Sequence, residues 1–253
     1  MPLPLPPVRA LCVLAFDTST EKLALGLQAS QDAYTHVAAG GAQASATLLP
    51  QVQAMLERAG LRYGDIDAVA FGRGPGAFTG LRTSCAVAQG LGFGLNRPLL
   101  PIDSLLIVAE DARMQAGPDD AEVAVAMDAR MDEVYTARYR WQGRGWQVLQ
   151  APGLYTLAAL AASWAGGGWD VLAGSALAAF GPRLALPPGG LRIEREDDRA
   201  AALLRLAVRA AQAGEGVDAA AALPLYLRDR VALTTLEREA ARIAAGAAAA
   251  AAP

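Results

Sequence analysis

Two short segments of this chain carry the residue types that handle phosphate chemistry. The first is Asp17-Thr18-Ser19-Thr20, a carboxylate followed by three hydroxyls. Hard cations prefer oxygen ligands, so such a turn can hold a metal–phosphate group; Asp, Ser and Thr are equally good plain turn formers. The second is Gly72-Arg73-Gly74-Pro75-Gly76-Ala77-Phe78-Thr79-Gly80. A strand that feeds a glycine turn opening a helix presents free backbone N–H groups to an anion. It is neither a Gly-Lys-Ser/Thr loop nor Gly-x-Gly-x-x-Gly, so a tight structural turn remains the alternative. Asp17, Ser19, Gly74, Gly76 and Thr79 are therefore the candidate phosphate or nucleotide contacts, with Thr79 placed to cap the following helix.

The scarce residues narrow the chemistry. The chain has one histidine, His36, and Lys22 is the only lysine among 22 basic residues. A multi-histidine metal site cannot be built within one chain, and no metal is expected. His36 shares a strand face with Tyr34 and Ala38 and has no evident catalytic partner. Cys12 and Cys85 stand in apolar contexts and read as buried thiols in a reducing compartment. Asp128, Asp132 and Glu133 form a carboxylate cluster around a strand connection, where carboxylates are usually solvated.

With 53% hydrophobic and 19% charged residues, the 253-residue chain can bury a sizeable core. A net charge of −3 argues against a stand-alone nucleic-acid binder, so any RNA role should run through a partner. Met1–Pro7 alternates proline with leucine and cannot form a signal helix, and the apolar run 10–16 is too short to span a bilayer. The expected location is cytoplasmic, with no membrane contact.

The elements that must position these residues can be read in order. Strands are expected at 11–16, 23–27 and 33–38, as a meander. A helix follows over 44–59, with Thr47 as its N-cap and Pro50 in its first turn. Then come a strand at 66–71, a helix at 81–95 and a strand at 99–102. A second round begins at Asp103: helix 105–114, strands 123–127, 134–139, 146–149 and 171–173, with helices at 156–164 and 198–213. The expected organisation is a first α/β lobe over 1–102, completed by 215–236, and a second over 103–214. The alanine-rich tail, 237–253, reads as frayed or disordered. The helix 44–59 has more apolar faces than one sheet need cover. Leu48, Val52 and Met55 are its candidate partner-facing residues.

Six segments resemble the TsaB (YeaZ) family in order and spacing: Ala15–Thr20, Leu48-Leu49-Pro50, Phe71–Arg82, Ala88–Leu91, Met127–Tyr135 and Pro224-Leu225-Tyr226-Leu227-Arg228. The resemblance runs from about residue 11 to 230. It implies the actin-like ATPase (ribonuclease H-like) α/β fold in two lobes. It also implies a non-catalytic subunit of the bacterial complex that makes threonylcarbamoyladenosine in tRNA, next to the anticodon. Its direct partner would be the paralogue TsaD, with TsaE in the larger complex, tRNA reached only indirectly, and a homodimer when alone. No cofactor is required of this chain, although ATP or ADP with Mg is allowed within the complex. TsaD-type proteins carry a His-x-x-x-His in the helix matching 44–59. No histidine stands here, and Ala44 replaces the single one usual in TsaB. The alternative reading is a nucleotide-binding phosphotransferase or ATPase of the same fold, with Val171–Ala176 as its only second phosphate loop.

Overall fold

The computed structural model describes residues 11–117, 119–143 and 145–228. The first described elements are β1 (Cys12–Asp17), β2 (Lys22–Ala29) and β3 (Asp32–Ala39), followed by α1 (Ala44–Arg58). Next come β4 (Ala68–Gly74), α2 (Phe78–Leu95) and β5 (Leu99–Asp103). The sheet order is β3-β2-β1-β4-β5, with β1, β2 and β3 antiparallel and β4 and β5 parallel to β1.

Every residue of β1 is buried, as its unbroken apolar run requires of a strand covered on both faces. Leu14 and Phe16 point one way, into a cluster with Leu48, Val52, Met55, Leu56 and Cys85 from α1 and α2. Val13 and Ala15 point the other way, against Leu203, Leu204 and Ala207. The two-residue strand period thus gives large side chains to one helical layer and small ones to the other.

The second half repeats the scheme. It comprises α3 (Ser104–Ala116), β6 (Asp120–Asp128), β7 (Glu133–Gln142), β8 (Gly145–Thr156), α4 (Leu157–Ser163), β9 (Val171–Ala173), α5 (Ala176–Phe180), β10 (Leu191–Ile193) and α6 (Arg199–Gln212). Its sheet order is β10-β9-β6-β7-β8, with β6, β7 and β8 antiparallel and β9 and β10 parallel to β6. One face carries Leu105, Val108 and Ala109 of α3; the other carries Leu160, Trp164 and Leu177.

Several expectations are corrected. Helix α1 starts at Ala44, so Thr47 is not its N-cap; the Thr47 hydroxyl donates to the Gln43 carbonyl, 3.1 Å away. Pro50 lies inside the helix, on its exposed side, where water can serve the Ala46 carbonyl its missing N–H leaves free. Thr79 is the second residue of α2 and does not cap it; Ala77 holds the cap position. Leu48 and Val52 are fully buried and Met55 nearly so, all in the first core. They are core residues and cannot be the partner surface. Strand β10 carries no sequence signal, because Leu191-Arg192-Ile193 lacks the apolar run that marks the equally short β9. Helix α6, grouped on sequence with the second half, packs on β1 of the first sheet. The following segment returns there too: Val217 bridges Leu99, and the Leu225 N–H donates to Arg73. Residues 237–253 and 229–236 lie outside the described residues.

Candidate functional site

Asp17 closes β1, and the chain turns at once through Thr18 and Ser19, both buried. The Ser19 N–H donates to Asp17 Oδ1 at 2.6 Å, which fixes the turn. The Thr18 hydroxyl donates to the Gly80 carbonyl at 2.7 Å, and the Thr18 N–H donates to Ser84 Oγ at 3.1 Å. The Asp-Thr-Ser turn is therefore stitched to the start of α2, 60 residues further on.

This stitching explains the glycine-rich segment. A Cβ at Gly72 would overlap the Asp17 carboxyl, and one at Gly80 would overlap the Thr18 carbonyl. A Cβ at Gly76 would lie 2.5 Å from the Ser19 carbonyl. The Ala77 N–H already donates to that carbonyl at 2.8 Å. Gly74, at φ +111° before a cis bond to Pro75, is pressed against the Leu225 carbonyl. The glycines let two backbone segments touch, and the loop spends its close approach on protein. Gly174, in the second candidate loop, behaves alike: at φ +123° its Cβ would overlap the Ala126 carbonyl.

The carboxylate of Asp17 is also taken. Its Oδ2 accepts from Arg199 Nη2 at 2.7 Å and from Ser104 Oγ at 3.2 Å. Arg199 reaches from the first turn of α6, bonding Ser19 Oγ and, through Nη1, Glu196 Oε2 at 2.5 Å. The Arg199 side chain is 4% exposed and that of Asp17 is 0%. Burial opposes the charge on Arg199, but Glu196 and Asp17 more than restore it, so its pKa rises and it stays a cation. No sequence spacing signalled Arg199, which lies 182 residues from Asp17. A magnesium ion held by Asp17 does not fit here, because a guanidinium already occupies the open side of the carboxylate.

A cleft of about 600 Å3 lies between the lobes, at the carboxyl ends of β1 and β6. Ser19 and Gly76 line it on one side, and Asp128, Ala129 and Arg130 on the other. Gly74 and Thr79 do not line it; Thr79 is exposed elsewhere. Its charged lining is Glu21, Asp111, Asp128, Glu194, Glu196 and Asp197 against Lys22, Arg130, Arg195 and Arg199. Among the described residues, acidic side chains thus outnumber basic ones in this lining. Among the described residues no cluster of His, Cys, Asp and Glu could hold a metal, and no helix is long and apolar enough to cross a membrane. His36 is exposed on the edge strand β3.

Two sheets of one repeated topology, facing each other across a cleft, define a two-lobed protein of the actin-like ATPase (ribonuclease H-like) class. The family model described as "TsaD: tRNA N6-adenosine threonylcarbamoyltransferase" matches residues 29–197. The tRNA threonylcarbamoyladenosine biosynthesis protein TsaB of Escherichia coli is 35% identical over 146 residues, 55% of this chain and 62% of that protein. TsaB of Haemophilus influenzae is 42% identical over 127 residues, 49% of this chain and 52% of that protein. The chain thus spans roughly half to three-fifths of the curated relatives it matches. The solved structure of YeaZ from Pseudomonas aeruginosa superposes with a TM-score of 0.75 at 38% identity, covering 86% of this chain and all of that one. This chain belongs to the TsaB (YeaZ) family.

Proposed function

We propose that this chain is a non-catalytic scaffold and activator subunit in the synthesis of threonylcarbamoyladenosine in tRNA, acting by binding a TsaD-type paralogue. The observation that carries the reading is Arg199: it neutralises the one carboxylate at the end of β1 that a nucleotide-bound metal would need. The glycines beside it serve backbone packing, and α1 holds no histidine; Ala44 is a buried core residue. This chain requires no cofactor of its own, and any ATP, ADP or Mg acts within the complex.

The partner surface is assigned to the outer side of α1 and α2, which pack side by side on the first sheet. Leu49 is 43% exposed and Phe93 is 64% exposed, against the fully buried Leu48 and Val52 beside them. Ala86 and Gly90 share the outer stripe of α2 with Phe93, and a Cβ at Gly90 would meet nothing. Small residues let a partner helix approach closely, while Leu49 and Phe93 supply apolar anchors. A paralogue of the same fold offers an equivalent helix pair. Leu49→Asp with Phe93→Asp should leave circular dichroism unchanged and abolish co-purification with the TsaD-type partner. Retained co-purification, or ATP hydrolysis by the isolated chain at about 1 per second or faster, would overturn the reading.

A further inference from the structure

On the far side of α6, away from the cleft, lies a surface groove of about 350 Å3 between α6 and the β2–β3 hairpin. Arg205 and Arg209 line it together with Gln28, Thr35 and Gln212, over an apolar floor of Leu204 and Val208. Among the described residues no carboxylate lines it. From this arrangement we infer that the groove is an oxyanion site for the phosphodiester backbone of RNA, so that this chain lends a phosphate contact to the tRNA held by its partner.

Glu110 is fully buried and is the carboxylate on which both arginines converge. It also accepts two bonds from Arg113, at 3.1 and 3.2 Å, and one from Trp146 Nε1 at 3.0 Å. With Arg205 Nε at 2.8 Å and Arg209 Nη1 at 3.4 Å, five donors crowd one carboxylate, which has about four lone-pair sites. One negative charge thus faces three positive ones. Among the described residues, Arg205 spends only its Nε–H and Arg209 only one Nη1–H, so most of their donors have no protein acceptor. These side chains are 32% and 37% exposed, so the spare donors meet solvent at the groove.

The guanidiniums are also held in place. The guanidiniums of Arg113 and Arg209 both lie over the Trp141 ring, each 4.4 Å from its centroid. Glu110 fixes the inner edge of both groove arginines and leaves the outer edge free. Such preorganisation removes part of the ordering cost of gripping a ligand. The two arginines stand one helical turn apart, with Cβ atoms about 5–6 Å from each other. Forked donors at that spacing suit neighbouring phosphates. An open groove with few base-sized walls suits a backbone and not a sequence.

This inference rests on the proposed function for its RNA, and the test separates the two. Labelled tRNA is titrated onto the assembled complex at salt concentrations between about 50 and 200 mM. Arg205→Gln with Arg209→Gln should weaken binding on the order of tenfold and flatten the salt slope by about 1–2. Arg205→Lys with Arg209→Lys should keep most of the slope. Thr35→Glu puts a carboxylate in the groove without touching Glu110, so it should weaken binding even if the glutamine pair disturbs folding. Unchanged affinity and slope in both the glutamine pair and Thr35→Glu would overturn the site while leaving the scaffold role intact. Binding of inorganic phosphate alone, without any change in RNA affinity, would overturn the RNA assignment. If no complex assembles, the scaffold role falls. The same titration on the isolated chain with a short RNA then decides the site: binding that Thr35→Glu reduces supports it, and no binding overturns it.

Discussion

Two arginine–carboxylate centres draw on α6, at Arg199 in its first turn and at Arg205 and Arg209 further along, and they are built in inverse proportion. At the end of β1, one arginine, Arg199, is shared by Asp17 and Glu196. Further along, one carboxylate, Glu110, is shared by Arg113, Arg205 and Arg209. In the first the surplus charge is negative and the arginine is shut in. In the second it is positive, and two of the three guanidiniums reach solvent. Identical pairing chemistry therefore gives a structural lock in one place and a surface able to grip an anion in the other. What decides is which partner is in excess and whether that excess is exposed.

The largest expected effect comes from opening the lock. Arg199→Met should leave Asp17 buried without its cation, at a cost of about 3–5 kcal/mol, measured by chemical denaturation. A loss below about 1 kcal/mol would mean that water enters the site and that Asp17 is available to a metal after all. Glu110→Gln should cost less, about 2–3 kcal/mol, because Arg205 and Arg209 can turn to solvent while Arg113 cannot. Equal costs at the two centres would erase the contrast between them.

Acid sharpens it further. Burial by itself would raise the Glu110 pKa, but hydrogen bonds from Arg113 and Arg205 and the charges of Arg113 and Arg209 hold it below the ordinary value. A depressed carboxyl contributes stability that is fully present above the unfolded value of about 4.3 and is lost as pH falls through the lower folded value. Wild-type stability should therefore fall more steeply below about pH 4 than that of Glu110→Gln. Parallel acid curves would show that the arginines do not act on this carboxylate. The smallest effect belongs to Thr79→Ala. Because Thr79 is exposed in the first turn of α2 and is not its cap, its loss should stay within about 0.5 kcal/mol, against about 1 for a true N-cap.

Much of the fold is legible in the sequence because it is local. The apolar run at β1 and the round of strands and helices that starts again at Asp103 both carry their own period. The site is legible only in part. Asp17 and the glycines do meet, but what they meet is each other, and no spacing rule announces a contact with Arg199, 182 residues away. Surplus apolar character on α1 was visible too. The sequence does not say which side a sheet covers, and the cover fell on Leu48, Val52 and Met55, leaving Leu49 outside. In the sequence the groove arginines, Arg205 and Arg209, stand in an ordinary amphipathic helix and carry no motif. Their surplus appears only when folding gives all three the same counter-ion.

The most direct test of the central claim is threonylcarbamoylation of tRNA by the reconstituted TsaD-type partner. It should be read as modified nucleoside with this chain absent, present, or carrying Leu49→Asp and Phe93→Asp. The account predicts strong dependence on the wild-type chain, no modification by the chain alone, and loss with the folded double variant. Modification by the isolated chain, or full support from the double variant, would contradict it.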